Sequence, residues 1–73
     1  MEHIDHILVV DDDREIRELV SSYLKKYGLR TSVAADGRQM RSFLDGNTVD
    51  LIVLDVMMPV SYTHLTLPTI LLV

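Results

Sequence analysis

The sequence predicts an α/β fold in which short parallel strands alternate with helices. Two apolar runs, Ile7 to Val10 and Leu51 to Leu54, lack the polar alternation of half-exposed strands, and each run is followed directly by aspartate. Between them lies a segment whose apolar residues repeat with helical period. Alternation of short strands and helices is typical of parallel strands joined by right-handed crossovers. The 73 residues suffice for one small domain or a piece of one.

The first strand and helix have clear predicted ends. Ile7 to Val10 is rich in β-branched residues, as buried strands are. The helix is predicted from Arg14 to Tyr27, with Asp13 as its N-cap and Gly28 as its left-handed stop. Its apolar residues share one face, so we expect Tyr23 and Tyr27 to pack against the sheet. That face consists of Ile16, Leu19, Val20, Tyr23, Leu24 and Tyr27.

A second strand and a second helix are predicted from weaker patterns. Arg30 to Ala34 alternates polar and apolar residues, which predicts a half-exposed edge strand. Asp36 and Gly37 break the chain before a short helix from about Arg38 to Leu44, whose Met40 we expect to face inward. Leu51 to Leu54 is the third strand, and the predicted element order is βαβαβ.

Composition excludes several classes of protein. The net charge of −4 and the pI near 5.1 argue against direct nucleic-acid binding by this segment. The chain has no cysteine for a disulfide or thiolate zinc site, and its three histidines, His3, His6 and His64, share no ligand spacing and are predicted to be solvated or incidental. The N-terminus lacks a signal peptide and no apolar run approaches the ~20 residues of a membrane span, so we expect a cytoplasmic protein.

Acidic residues follow two of the predicted strands. Asp11 and Asp12 end the first apolar run, and Asp55 ends the third strand. Neighbouring parallel strands would bring these carboxylates into one crevice. Carboxylates ~4 Å apart would repel by roughly 4 kcal/mol per pair at an effective dielectric near 20, so the cluster calls for a cation such as Mg²⁺.

Several motifs together resemble the receiver domain of two-component response regulators. They are the run Ile7 to Asp13, the following helix that bears Arg17, the pair Asp36 and Gly37, and the run Leu51 to Pro59. Over its whole length the sequence pattern is most similar to receivers that carry an OmpR-type winged-helix DNA-binding domain. The resemblance implies a partial flavodoxin-like, doubly wound sheet with strand order 2-1-3.

The resemblance also implies a role for each site residue. Asp55 would be the phosphoacceptor, Asp12 the direct Mg²⁺ ligand, and Asp11 the acid that holds metal-bound water. Met57 would offer its backbone carbonyl to the metal. A sensor histidine kinase would be the phosphoryl donor, and the domain would be a signalling module, not an enzyme. DNA binding would belong to another domain of the parent, where receivers could also dimerise.

Two alternatives remain open at this stage. One is a Mg²⁺-dependent phosphohydrolase with an aspartate nucleophile. That class has a second aspartate two residues after the nucleophile, where this chain has Met57. The other is a truncated fragment without function, because the expected later strands that end in Ser or Thr and in a Lys-Pro pair are missing after Pro59. We therefore divide the chain into 1–59, the N-terminal part of a receiver, and 60–73, a tail.

The tail has its own resemblance. Val60 to Thr69 is similar to the in-frame translation of a transposase-type sequencing-library adaptor, so we predict that 60–73 is non-native. With native neighbours missing, Leu51 to Leu54 would be an unpaired apolar edge. The alternative is that Leu65 to Val73, which is apolar and β-prone, is a divergent strand that partly covers this edge, although Pro68 lacks the N–H that a central strand needs. We expect such a chain to fold poorly or to aggregate, with weak amide protection from Leu51 onward.

Overall fold

A computed structural model of the chain describes residues 5–55, 57 and 69–72. The elements in chain order are β1 (His6–Val10), α1 (Arg14–Lys26), β2 (Arg30–Ala34), α2 (Gly37–Gly46), β3 (Leu51–Leu54) and β4 (Thr69–Leu72). Each predicted strand and helix is present. α1 begins at the predicted residue, whereas its last residue, the first residue of β1 and both ends of α2 differ from prediction by one or two residues.

The described strands form one parallel sheet with the order β2-β1-β3-β4. The predicted order 2-1-3 is confirmed, and β4 extends it. The expectation that β3 is an unpaired edge is wrong, because β4 lies beside it with Val53 opposite Leu71. One row of side chains therefore crosses the whole sheet, from Val33 through Val9 and Val53 to Leu71.

The ends of α1 follow the predicted capping chemistry. One carboxylate oxygen of Asp13 accepts the backbone N–H groups of Glu15 at 2.9 Å and Ile16 at 3.4 Å. At the other end Gly28 has a φ of +83° and donates its N–H to the Lys25 carbonyl at 2.9 Å. Glycine adopts this left-handed backbone without the penalty of a Cβ, so the helix stops here.

The apolar face of α1 is only partly buried. The helix packs against β1 and β2, with Ser21 buried and Val20 and Leu24 half-buried. The predicted packing of Tyr23 and Tyr27 against the sheet is wrong, because these side chains are 59% and 67% exposed. They lie on the flank of the helix, roughly a quarter turn from the buried line.

The two tyrosines contact each other on that flank. Their ring centroids are 5.0 Å apart, and the Tyr23 hydroxyl donates to the Tyr27 hydroxyl at 3.4 Å. This hydrogen bond raises the pKa of Tyr23, because ionisation would remove the donated proton. The described helices include none long and apolar enough to cross a membrane.

The main core lies between the sheet and α2. Met40 is fully buried, as predicted, and packs against the sheet face formed by Leu8, Val10, Ile52 and Leu54. On the opposite face Ile7 and Val9 are also buried.

A cap that the sequence analysis missed begins α2. The Asp36 side chain accepts the Gln39 N–H at 2.8 Å, and the Gln39 side chain accepts the Ala35 N–H at 2.8 Å. The signal was Asp followed three residues later by Gln, a variant of the capping box.

His6 is a second correction. The prediction that it is solvated or incidental is wrong, because it is 5% exposed and both ring nitrogens are bonded. Nδ1 lies 2.9 Å from the Thr48 carbonyl and Nε2 lies 2.8 Å from the Ser32 hydroxyl. The ring therefore ties β1 to β2 and to the loop before β3. His3 and His64 lie outside the described residues.

Candidate metal centre

The register of β1 and β3 sets the position of the acidic residues. Val10 pairs with Leu54, so the next residues, Asp11 and Asp55, leave the sheet side by side. Their backbones are fixed by the neighbouring strands. The Asp55 N–H donates to the Val10 carbonyl at 3.1 Å, and the Asp11 N–H donates to the Ala34 carbonyl at 3.2 Å.

The structure brings together the three aspartates that the sequence singled out. Asp11, Asp12 and Asp55 each offer one carboxylate oxygen, and these oxygens all lie within 4.8 Å of one another. Asp11 is buried, Asp55 is half-buried and Asp12 is exposed. The group is therefore open to solvent on the side of Asp12, which leaves a path for a hydrated cation.

The side chain and backbone of Asp11 are held by two contacts. Its Oδ1 accepts the backbone N–H of Asp13 at 2.9 Å, and its carbonyl oxygen accepts Nη1 of Arg17 at 2.8 Å. The first contact restrains the carboxylate through Oδ1, and the second anchors the backbone of Asp11 to α1. Arg17 is one of the residues that carry the family resemblance, and its contact with the Asp11 carbonyl was not predicted. Its place one turn into the helix after the acidic run is the signal for this contact.

Asp55 is oriented in the same way. Its Oδ1 accepts the backbone N–H of Met57 at 2.9 Å, and the described residues make no hydrogen bond to its second oxygen. The Met57 side chain is 85% exposed and makes no part of the core. The structure thus places Met57 next to Asp55 through its N–H, and metal binding by its carbonyl stays a prediction.

The charge of the cluster favours a cation. At 4.8 Å, two carboxylates repel by about 3.5 kcal/mol at an effective dielectric of 20 and by about 0.9 kcal/mol at that of water. Arg17 does not relieve this repulsion by a salt bridge, because its described contact is with a carbonyl. Within the described ranges, no Lys or Arg forms a salt bridge with the three carboxylates.

The residues present fit Mg²⁺. This ion prefers a few hard oxygen ligands and keeps several of its waters, and the cluster offers carboxylate oxygens on an open side. Asp13 does not join the cluster, because its side chain caps α1. This separates the cap from the three site carboxylates, as the sequence analysis predicted for Asp13.

The chain is similar to known proteins of one family. Residues 7–64 match the family model of the response regulator receiver domain. The transcriptional regulatory protein CpxR of Klebsiella pneumoniae subsp. pneumoniae is 48% identical over 56 residues, which are 77% of this chain and 24% of CpxR. The chain thus spans about a quarter of the length of that relative.

Solved structures are similar over most of the described fold. The response regulator TrrA of Thermotoga maritima, solved in complex with Mg²⁺ and BeF, matches with a TM-score of 0.72 and 36% identity, over 80% of this chain and 51% of TrrA. CheY6 of R. sphaeroides, solved in complex with the P1 domain of CheA3, matches with a TM-score of 0.70 and 28% identity, over 84% of this chain and 50% of that chain.

Proposed function

The chain belongs to the response regulator receiver family, and on that basis we propose that Asp55 accepts a phosphoryl group in a reaction that requires Mg²⁺. The observation that carries the proposal is the convergence of the Asp11, Asp12 and Asp55 carboxylates at the ends of β1 and β3. Asp12, the exposed member, would be the direct Mg²⁺ ligand. Asp11 would hold the ion's water, and the Met57 carbonyl would complete the site.

The orientation of Asp55 supports its role as nucleophile. The Met57 N–H holds Oδ1, and among the described residues no hydrogen bond occupies Oδ2, whose lone pair would attack phosphorus. A P–O bond to Asp55 forms as the bond from phosphorus to the donor's imidazole nitrogen breaks, and the nitrogen keeps the electron pair. Bound Mg²⁺ would neutralise charge on the phosphoryl oxygens and on the three carboxylates.

We propose a sensor histidine kinase as the phosphoryl donor. Receiver domains interact with histidine-kinase phosphotransfer domains, and the CheY6 neighbour was solved with such a domain, P1 of CheA3. Relatives such as CpxR are transcriptional regulators, so in the intact parent the modification would control a DNA-binding domain. Receiver domains of such regulators are generally not enzymes, and we propose a signalling role in the cytoplasm for this one.

The proposal is tested by phosphotransfer from a phosphorylated histidine kinase to the parent protein. We expect a label that survives acid and is released by base or hydroxylamine, as an acyl phosphate is. Asp55→Asn should abolish it, whereas Asp45→Asn, which removes an exposed carboxylate on α2, should leave it intact. Undiminished labelling of Asp55→Asn would refute the assignment.

We further propose that 1–59 is the N-terminal part of the receiver and that 60–73 is a non-native tail. The family match runs to residue 64, which includes the first residues of that tail, while β4 lies at Thr69–Leu72. Sequencing of the coding DNA across Pro59 and Val60 in an independent isolate tests the division. An uninterrupted gene that encodes 60–73 would overturn it.

A further inference from the structure

The same dipeptide, Asp-Gly, stands at both ends of α2. Asp36-Gly37 lies at the start of the helix and Asp45-Gly46 at its end. In such a pair the glycine nitrogen can attack the aspartyl Cγ, because glycine has no Cβ to hinder the approach or to restrict its backbone. The ring forms only when the carboxyl group is free to turn and the backbone leaves its ordered conformation. The two pairs therefore place one chemistry in two structural settings.

The pair at the start of α2 is held in place by the helix cap. Asp36 Oδ1 accepts the backbone N–H of Gln39 at 2.8 Å, and the Gln39 side chain accepts the Ala35 N–H at 2.8 Å. The Asp36 carboxylate also lies at the positive end of the helix dipole, where negative charge is stabilised. Attack by the Gly37 nitrogen requires these contacts to break, so the cap protects Asp36.

The pair at the end of α2 lacks this support. Among the residues that the structure describes, none forms a hydrogen bond or an ion pair with the exposed side chain of Asp45. Its charge lies at the negative end of the dipole, and the last turn contains no basic residue to compensate it. Gly46 is the last helical residue, at a position where helices fray and where glycine lowers helix stability. The last turn therefore opens more readily than the first.

We propose that Asp45-Gly46 is a site of spontaneous backbone isomerisation, at which a succinimide and then isoaspartate form. The Gly46 nitrogen bonds to Cγ of the Asp45 carboxylic acid and gives up its proton, while the Cγ–OH bond breaks and releases water. Water then opens the ring. Cleavage between the nitrogen and the former backbone carbonyl carbon leaves Cβ and Cγ in the main chain, and no oxidant or reductant takes part.

Isomerisation at this position disturbs a buried contact. Isoaspartate lengthens the main chain at residue 45 by one carbon, next to a loop that is fixed at two points. The Asn47 side chain donates to the Phe43 carbonyl at 2.9 Å. The carbonyl of the following residue, Thr48, accepts Nδ1–H of the buried His6 at 2.9 Å. The longer chain displaces this carbonyl from the His6 ring, so the modified protein is less stable than the unmodified one.

Peptide mapping of the full chain after prolonged incubation in neutral buffer tests the proposal. Electron-transfer dissociation in the mass spectrometer distinguishes isoaspartate from aspartate at each position. The typical strength of an aspartate cap corresponds to about a fivefold difference in rate, so isoaspartate should form at residue 45 at least that much faster than at residue 36. In urea the cap is lost, and the two rates should become equal.

Two variants test the two ends of the helix separately. Gly46→Ala adds a Cβ that meets no atom within 4 Å, so the fold accommodates it. Because the added Cβ hinders ring closure, this variant should form far less isoaspartate at residue 45 and the same amount at residue 36. Gln39→Ala removes the bond to the Ala35 N–H and should increase isoaspartate at residue 36 only.

The isoaspartate form provides a further readout. Separated by chromatography, it should unfold at a lower denaturant concentration than the unmodified chain, because its Thr48 carbonyl no longer accepts from His6. Equal rates at residues 36 and 45 without urea would overturn the proposal, and so would a preference for residue 45 that persists in urea. An undiminished yield at residue 45 in Gly46→Ala would also overturn it.

Discussion

Substitution of Asp12 by asparagine should abolish the stabilisation of the folded chain by Mg²⁺. The three carboxylate oxygens lie within 4.8 Å of one another, so a bound divalent ion relieves their repulsion and favours the folded state. At free Mg²⁺ ten times its dissociation constant, the gain is about 1.4 kcal/mol. For a domain of this size that corresponds to a rise in melting temperature of about 6 to 11 °C.

In the absence of metal, Asp12→Asn should stabilise the folded chain. Asparagine removes one negative charge from the cluster and with it the repulsion of Asp12 by the other two carboxylates. Because Asp12 is exposed, each lost repulsion is nearer the value in water, about 0.9 kcal/mol, than the value of about 3.5 kcal/mol for a buried pair. The variant without metal should therefore melt higher than the wild-type chain without metal. If the variant is more stable without metal and no longer responds to Mg²⁺, then the same carboxylate both repels its neighbours and binds the ion.

Thermal unfolding followed by circular dichroism provides the measurement. Each chain is measured in EDTA and in MgCl₂, with NaCl added to hold ionic strength constant. Asp13→Asn is the matched control, because it removes a neighbouring carboxylate while asparagine still caps α1, so its Mg²⁺ response should match wild type. A Mg²⁺ response in Asp12→Asn equal to that of wild type would refute the reasoning.

Three further substitutions test the contacts around the site and the core, each by chemical denaturation. Arg17→Ala should lower the free energy of unfolding by about 1 to 2 kcal/mol, because it removes the charged hydrogen bond to the Asp11 carbonyl. Its control, Arg14→Ala, breaks only an exposed ion pair with Glu18 and should cost at most about 0.5 kcal/mol. Equal costs for the two variants would contradict this prediction. Asp13→Ala should cost about 1 kcal/mol through the lost cap, and Asp13→Asn much less; no difference between the two would exclude the cap. His6→Phe keeps an aromatic ring but loses the hydrogen bonds to the Thr48 carbonyl and the Ser32 hydroxyl, so the free energy of unfolding should fall by about 1 to 3 kcal/mol. An unchanged denaturation midpoint would show that the buried ring makes no such hydrogen bonds.

The sequence predicts the part of the fold that local pattern determines. The strands β1 and β3 are short apolar runs bounded by aspartate, and Asp13 and Gly28 carry the capping chemistry that ends α1. The site follows from the same pattern, because residues that come directly after paired parallel strands must lie together. Which carboxylate is buried and which exposed depends on the loop after β1 and could not be read from the residue types.

Three features depend on long-range packing and could not be predicted locally. The apolar stripe of α1 indicates which residues prefer burial, but the position of the helix over β1 and β2 leaves Tyr23 and Tyr27 exposed. His6 has no motif, since its partners lie 26 and 42 residues away in sequence. The apolar, β-prone residues of the tail allow a strand, but no turn signal or hydrophobic alternation there predicts the register in which β4 pairs with β3.

Chemical identification of the phosphorylated residue tests the central claim most directly. The chain is incubated with acetyl phosphate and Mg²⁺, and borohydride then reduces an aspartyl phosphate to homoserine, which mass spectrometry assigns to one position. We predict homoserine at residue 55 when Mg²⁺ is present and none when EDTA replaces it. Homoserine at residue 11 or 12, or at residue 55 to an equal extent without Mg²⁺, would contradict a metal-dependent phosphoacceptor site at the end of β3.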